Sequence, residues 1–340
     1  MIRTGVIGYG LGGMAFHAPL IDAVPELVLA AIATSRADQV RARYPGMQVT
    51  DAAALIADPS IALVVISTPN DSHFPLAKAA LEAGKHVVID KPFANSVADG
   101  EALMALAAEC GLVLAAFHNR RWDGDFLTVQ KLLESGRLGD VMLAELRWDR
   151  YRPEVTQLWR DVPDVGSGML ADLGPHLIDQ ALMLFGTPEA VSADIEAQRQ
   201  GGRTDDYFEL TFHYGNRRAI LSASRLILAA HPRFALHGTE GGFVKYGLDP
   251  QEPAMKAGGS ANDPGYGVED PAQYGVLTRV DGTREVIPSE QGDYRRFYSG
   301  VGQAIAGGGV APVTAADAVL GLRIIELARR SAAEGKRVAL

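Results

Sequence analysis

Runs of consecutive apolar residues alternate with helix-compatible segments through the first third of the chain. Such uninterrupted runs are typical of strands buried on both faces, as in a parallel sheet covered by helices. Their alternation with helices predicts two βαβαβ halves, and therefore an α/β domain of the Rossmann type. The predicted strands lie at residues 5–7, 27–33, 61–67, 86–89 and 112–116, and the helices at 14–24, 37–44, 51–57, with Asp51 as the expected cap, 74–83 and 96–109.

From about residue 120 the pattern changes to short segments in which apolar and polar residues alternate. Alternation with a period of two predicts strands that bury one face, so we expect an α+β domain built on an open, largely antiparallel sheet. The predicted strands lie at 141–150, 190–197, 207–213, 218–225, 234–238, 243–246 and 275–280, the helices at 125–135, 294–306 and 314–333, and a long loop at 262–274.

The change of pattern predicts two domains. Residues 1–119 are expected to form a dinucleotide-binding domain, and residues 120–340 a substrate and oligomerisation domain whose C-terminal helices are able to pack back on the first. Each segment is long enough to bury a core of its own. The second face of the open sheet predicts a homo-oligomer that assembles through that face.

A glycine motif lies between the first apolar run and the first predicted helix. Gly8, Gly10 and Gly13 have the G-x-G-x-x-G spacing of dinucleotide-binding loops. In that motif the first glycine permits a tight turn, the second lets the backbone approach a pyrophosphate, and the third lets the helix pack closely on the strand. We predict cofactor contacts at these glycines and at the intervening Tyr9 and Leu11. The alternative is a glycine-rich turn without a ligand.

The residues after the second predicted strand bear on the choice of dinucleotide. NAD sites usually place an acidic residue there to bind the ribose 2′-hydroxyl, whereas this chain has Ser35 and Arg36. A guanidinium can bind a 2′-phosphate through charge-assisted hydrogen bonds. We therefore predict NADP, with NAD as the alternative because Asp38 lies nearby. In the other interpretation Arg36 is an ordinary solvated residue at a helix start.

Two loops that follow predicted strands are expected to lie at the cofactor, because ligands of open parallel sheets bind beyond the carboxyl ends of the strands. Lys91 is the strongest catalytic candidate, since Pro92 stiffens a loop that would present its amine to a nicotinamide. His73 either lines the site or is a buried residue at a helix start. The predicted cofactor contacts in these loops are Thr68, Pro69, Asn70, His73, Asp90 and Lys91.

Asp172 and His176 are the candidate acid–base residues of the second half. They are four residues apart and therefore share one helix face. We expect this helix to begin near Asp172, because Pro175 is tolerated best in a first turn. An aspartate at this spacing can orient an imidazole that transfers a proton near neutral pH. The alternative is a helix cap beside a core histidine.

Composition excludes several functional classes. The net charge is −9 with acidic and basic residues interspersed, which argues against nucleic acid or an anionic membrane as the main partner. The chain enters its first strand by residue 5, which leaves no room for a signal peptide, so we expect a soluble cytoplasmic protein. Cys110, in an apolar stretch, is expected to be a buried small hydrophobe. The histidines do not cluster at ligand spacing, so no metal is expected.

Taken together, these motifs resemble those of the Gfo/Idh/MocA family of oxidoreductases over essentially the whole chain. The glycine motif, residues 68–70, the Lys91-Pro92 pair and the Asp172-x-x-x-His176 pair occur in the family's order. Family members usually have Glu-Lys-Pro where this chain has Asp90-Lys91-Pro92. Two further stretches resemble the branch that contains NADP-dependent scyllo-inositol dehydrogenases, at residues 117–123 and 245–252.

The resemblance implies hydride transfer between a nicotinamide cofactor and a secondary alcohol or ketone of a cyclic polyol or sugar. It leaves two alternatives, a reductase of another keto-sugar or dihydrodiol, and a non-catalytic dinucleotide-sensing protein. It also implies a catalytic set, Lys91, Asp172 and His176, and further cofactor contacts at Asn119, Trp159, Arg160 and Tyr294.

Overall fold

The computed structural model describes residues 1–156, 161–163 and 166–340. The chain divides into two compact units, each assembled from three segments of the sequence. Of the helices in the described ranges, none is both long enough and apolar enough to cross a membrane. The first unit comprises Met1–Trp122, Gln251–Tyr266 and Asp293–Val319, and the second comprises Asp123–Pro250, Gly267–Gly292 and Leu320–Leu340.

Strands and helices are numbered here along the chain. A π-helical turn, Gly13–His17, leads directly into the first α-helix. The strands are β1 (Ile2–Ile7), β2 (Leu27–Ala33), β3 (Gln48–Thr50), β4 (Leu63–Ile66), β5 (His86–Ile89), β6 (Leu114–Ala116), β7 (Val141–Arg147), β8 (Ala190–Glu196), β9 (Tyr207–Tyr214), β10 (Arg217–Ser224), β11 (Phe234–Gly238), β12 (Gly241–Lys245), β13 (Gly275–Arg279), β14 (Arg284–Ile287) and β15 (Val338–Ala339). The α-helices are α1 (Ala18–Asp22), α2 (Ala37–Arg43), α3 (Ala52–Ala57), α4 (His73–Glu82), α5 (Val97–Glu109), α6 (Gly124–Glu134), α7 (Met169–Phe185), α8 (Gln251–Lys256), α9 (Arg295–Ile305) and α10 (Ala315–Glu334).

The sheet of the first unit confirms the predicted Rossmann fold. Its strands lie in the order β3-β2-β1-β4-β5-β6, and every neighbouring pair is parallel. The side chains of β4 are entirely buried, as expected for a strand covered on both faces. The sequence pattern missed β3, because this three-residue strand at the sheet edge is exposed at Gln48 and forms no apolar run.

Two predictions concern residues at the ends of helices in the first unit, the cap at Asp51 and the burial of Cys110. Asp51 caps α3 as predicted, with its Oδ1 accepting a hydrogen bond from the Ala54 N–H at 2.8 Å. The expectation that Cys110 is buried is wrong, because the cysteine is exposed. It lies where α5 ends and the chain turns, and residues 108–111 are all exposed there. The apolar character of the surrounding sequence comes from the buried side of α5 and from β6.

The sheet of the second unit is mixed and mostly antiparallel. Its strands lie in the order β14-β13-β12-β11-β7-β10-β9-β8-β15. The β7–β10 pair is parallel, and the other neighbouring pairs are antiparallel. An α+β unit on a largely antiparallel sheet is the architecture that the alternating pattern predicted.

One face of this sheet carries the core of the second unit. Helix α7 packs against β7, β9 and β10. Along β9, Phe208, Leu210 and Phe212 are fully buried within this core, whereas the intervening Glu209 and Thr211 are half-exposed. The predicted alternation of β9 is therefore confirmed, and its half-exposed residues belong to the opposite face of the sheet.

Candidate cofactor and active site

The glycine loop after β1 is constrained by the backbone of its own unit at two positions. Gly8 has φ = 101°, and a Cβ placed there would lie 2.1 Å from the carbonyl oxygen of Ser67. A Cβ at Gly13 would lie 2.1 Å from the carbonyl oxygen of Gly8. These close approaches exclude any side chain, so Gly8 and Gly13 perform the tight-turn and close-packing roles that their spacing predicts.

Gly10 differs from its neighbours in the loop. A Cβ placed there would meet no atom within 4 Å, and Gly10 is not one of the glycines that adopt a positive φ. The protein's own packing therefore does not explain a glycine at this position. Open space beside the middle glycine fits the predicted approach of a pyrophosphate to the backbone. The next residue, Leu11, is 48% exposed.

Arg36 lies against this loop. Its guanidinium donates a hydrogen bond to the main-chain oxygen of Tyr9 at 3.4 Å, and its N–H donates to Thr34 Oγ1 at 3.1 Å. Both Arg36 and Ser35 are exposed, so their polar groups remain accessible. Tyr9 itself is buried, and this burial raises the pKa of its phenol. A cation held beside the glycine loop fits a ligand with an additional phosphate.

The loops after β4 and β5 are joined by a buried histidine. His73 Nε2 lies 2.9 Å from the main-chain oxygen of Thr68, and its Nδ1 lies 2.8 Å from that of Pro92. Residues 68–70 lead into a short 3-10 turn that begins at Asn70. The main-chain oxygen of Asn70 accepts a hydrogen bond from the side-chain amide of Asn95 at 3.1 Å. The role of these residues, including His73, as cofactor contacts stays a prediction.

Lys91 is half-buried and lies just beyond the carboxyl end of β5, in the loop where the sequence pattern predicts it. Its N–H donates to Asp90 Oδ1 at 2.8 Å. Burial is the largest single effect on the Asp90 carboxyl and raises its pKa. The nearby His17, His73 and Lys91 together outweigh burial and lower the pKa to about 2. Sequence reasoning missed His17, which follows the glycine motif without any recognisable spacing to Asp90.

Two further predicted cofactor contacts lie inside the first unit. Asn119 is buried within the short 3-10 segment Asn119–Trp122. Tyr294 is fully buried, and its hydroxyl accepts a hydrogen bond from an Arg120 guanidinium N–H at 2.6 Å. Trp159 and Arg160 lie outside the described residues.

Helix α7 carries the acid–base candidates of the second unit, and its predicted start was wrong. It begins at Met169, three residues before Asp172, and Pro175 lies inside it rather than in its first turn. The earlier start depends on Asp205, whose Oδ2 accepts a hydrogen bond from the Leu170 N–H at 2.6 Å. The first N–H groups of a helix have no partners within it, so a distant residue supplies this cap.

Asp172 and His176 are both buried on α7, four residues apart. The His176 ring lies 6.2 Å from that of Trp148, centroid to centroid. Lys91 belongs to the first unit, and these two residues belong to the second. That the three residues act together stays a prediction. Within the described ranges, no group of three or more His, Cys, Asp or Glu side chains could hold a metal ion.

Comparison with protein families matches both halves of the chain. Residues 2–118 match the Gfo/Idh/MocA model described as "Oxidoreductase family, NAD-binding Rossmann fold". Residues 130–340 match the companion model described as "Oxidoreductase family, C-terminal alpha/beta domain".

Individual proteins are similar along the full length. The chain is 41% identical over 343 residues to a Bacillus subtilis (strain 168) protein named scyllo-inositol 2-dehydrogenase (NADP(+)) IolW, covering 100% of this chain and 96% of that protein. It is 46% identical over 337 residues to the uncharacterized oxidoreductase YdgJ of Escherichia coli (strain K12), covering 97% and 96%. The solved structure of the YPO2259 protein from Yersinia pestis matches with a TM-score of 0.96 and 42% identity, covering 100% and 97%.

Alanine substitutions at Gly10 and Gly13 distinguish a ligand requirement from a packing requirement. We expect G10A to change the free energy of unfolding by less than about 1 kcal/mol, because its methyl group meets no protein atom. If the loop holds the phosphates of a nicotinamide dinucleotide as its spacing predicts, G10A should nevertheless weaken NADPH binding roughly tenfold or more by obstructing them. G13A should destabilise the fold by about 1–3 kcal/mol or more through overpacking. Urea denaturation and NADPH fluorescence titration measure the two effects, and wild-type affinity in G10A would contradict this interpretation.

Proposed function

The chain belongs to the Gfo/Idh/MocA family of oxidoreductases, and from that premise we propose that it transfers a hydride between NADP and a secondary alcohol or ketone of a cyclic polyol or sugar. The observation that carries the proposal is the glycine loop, which combines open space at Gly10 with the guanidinium of Arg36. The substrate class is supported by the name of the Bacillus subtilis relative, which specifies scyllo-inositol and NADP.

In the proposed reaction the two units contribute different groups. When bound, the nicotinamide supplies the hydride chemistry. On oxidation the carbon of the alcohol loses a hydride, and a ring nitrogen of His176 takes the hydroxyl proton; on reduction His176 returns that proton. Asp172, one helical turn earlier, orients the imidazole. The ammonium of Lys91 stabilises the negative charge that develops on the substrate oxygen.

Preference for NADP over NAD follows from charge. Arg36 and Ser35 offer a cation and a hydroxyl at the end of β2, where a carboxylate would repel a 2′-phosphate. The hydrogen bond from Arg36 to Tyr9 directs the guanidinium towards the loop that would hold the pyrophosphate. We also retain as proposed cofactor contacts Thr68, Pro69, Asn70, Asn119, Trp159, Arg160 and Tyr294.

The proposed reaction is tested with a panel of cyclic polyols and sugars, each supplied with NADP or NAD. Turnover appears as absorbance at about 340 nm. We expect His176→Ala to lower kcat by roughly 10²–10⁴-fold, because general acid–base catalysis contributes on that scale. His231→Ala is the matched control, since His231 forms an exposed pair with Asp149 in the same unit.

Two outcomes would contradict the proposed reaction. Near-full turnover of His176→Ala would remove the histidine from the mechanism. Failure of every polyol, keto-sugar and dihydrodiol despite tight NADPH binding would favour the dinucleotide-sensing alternative.

Arg36→Ala tests the cofactor preference. Loss of a charge-assisted hydrogen bond should raise the KM for NADP roughly 10- to 100-fold and leave the KM for NAD nearly unchanged. Arg41→Ala is the control, because Arg41 lies on α2, which Arg36 directly precedes, and its exposed side chain faces Asp38 at 3.8 Å. Equal effects of Arg36→Ala on both nucleotides would contradict a role in 2′-phosphate binding.

We further propose that the chain assembles through the open face of the second sheet. Ile220 on β10 lies on this face, where it pairs with Thr211 and Glu145 in the strand register. Ile220→Lys would place a charge within the interface, so light scattering should show a shift from an oligomer towards the mass of one chain. Val310→Lys, at an exposed position of the first unit, should leave the mass unchanged. A monomeric wild-type protein would contradict this proposal.

A further inference from the structure

Two buried histidines hold the chain neighbours of Lys91, and the proposed hydride transfer assigns neither of them a step. We propose that His17 and His73 form a histidine clamp, which positions Lys91 by holding Asp90 on one side and Pro92 on the other. The inference rests on the proposed function for the role of Lys91, whereas the contacts of the clamp lie entirely within the first unit.

His17 forms the first arm of the clamp. It is fully buried, and its Nε2 lies 3.2 Å from Asp90 Oδ2. Its Nδ1 lies 2.6 Å from the hydroxyl of Tyr298, and its ring lies 4.3 Å from that of Phe117. The contacts of Nδ1 with Tyr298, of Nε2 with Asp90 and of the ring with Phe117 together restrain the imidazole, which cannot turn away from the carboxylate without breaking them.

Asp90 transmits this restraint to Lys91. Its Oδ1 accepts the Lys91 N–H at 2.8 Å, and its Oδ2 accepts the Ser67 hydroxyl at 3.0 Å. On the remaining side the carboxylate lies against the glycine loop, since a Cβ at Gly12 would come within 2.5 Å of Oδ2. The carboxylate is therefore confined by His17, Ser67, Gly12 and the backbone of Lys91 together.

His73 forms the second arm. It lies between two main-chain oxygens, that of Pro92 at 2.8 Å and that of Thr68 at 2.9 Å. Carbonyl oxygens only accept hydrogen bonds, whereas a neutral imidazole has one N–H to donate. Both bonds therefore form together when both ring nitrogens carry a proton. In that state His73 ties the loop after β5 to the loop after β4 and adds a positive charge near Asp90.

The contacts of the clamp stabilise the Asp90 carboxylate. A carboxylate with little access to solvent is costly unless it has partners, and Asp90 has the Nε2 of His17 at 3.2 Å, the Ser67 hydroxyl and the N–H of Lys91. Displacing a catalytic group by about 1 Å can cost roughly 100-fold in rate. The clamp thus restrains the backbone at both neighbours of the lysine whose side chain must meet the substrate oxygen.

The test compares variants of His17 by their kinetics, their NADPH affinity and their thermal unfolding. His17→Leu removes both polar contacts and should lower kcat/KM roughly 10- to 100-fold. His17→Gln retains an N–H donor for Asp90 and should recover part of that loss. Tyr298→Phe removes only the hydroxyl that holds Nδ1 and should cause a smaller loss in the same direction. His86→Gln is the control, because His86 lies at the opposite end of β5 from Asp90.

If His17 had only a structural role, glutamine at position 17 would not restore kcat/KM, and the effect of His17→Leu would not depend on the presence of Lys91. We therefore expect His17→Leu to weaken NADPH binding in the wild-type background but to add no further loss in Lys91→Met. Equal losses in the two backgrounds, or wild-type kcat/KM in His17→Leu, would overturn the clamp. If His17→Leu does not fold, His17→Gln and Tyr298→Phe provide the same comparison.

The clamp and the proposed function can fail separately. Wild-type protein that binds NADPH but oxidises no polyol would contradict the proposed reaction, while the affinity measurements would still decide the clamp. Wild-type protein that binds no nicotinamide nucleotide would overturn both.

Discussion

The first unit depends on a steric constraint, the close packing of the glycine loop against the loops that follow β4 and β5. Gly8 touches the carbonyl of Ser67, and Gly12 leaves room for the carboxylate of Asp90. A side chain at either position would separate the loop from the sheet edge. Because Asp90 lies between the glycine loop and the N–H of Lys91, the same contact joins the proposed phosphate site to the proposed catalytic cation. Gly10 alone among these positions leaves its side-chain space open.

In the second unit, two buried polar residues, Asp172 and His176, lie on helix α7. The N-terminus of α7 needs partners for N–H groups that the helix itself cannot bond. Asp205, which precedes β9, provides one through the N–H of Leu170. The position of Asp172 and His176 thus depends on a loop 35 residues further along the chain, counting from Leu170 to Asp205. Packing against Trp148 adds a further restraint on the His176 ring.

Local signals predicted a large part of the fold because they report what each residue does within its own element. The cap at Asp51 follows from one side chain and the N–H three residues later. The buried strands follow from unbroken apolar runs. The same reasoning failed for β3, whose three residues are too few to show a period, and for Cys110, whose apolar neighbours belong to elements on either side of a turn. It placed the start of α7 near Asp172 because Pro175 is tolerated best in a first turn, and the cap that permits the earlier start is not local.

By itself the sequence determined the two kinds of sheet and most of their strands, the spacing of the glycine motif, and the identity of the candidate groups at Lys91, Asp172 and His176. These properties are encoded by periodicity and by short motifs, which can be recognised without knowledge of the fold. Only the tertiary structure decided that His17 reaches Asp90 and Tyr298, residues that lie far apart along the chain. Such contacts leave no periodic trace, because they depend on how the chain returns to one sheet edge rather than on the conformation of any single segment.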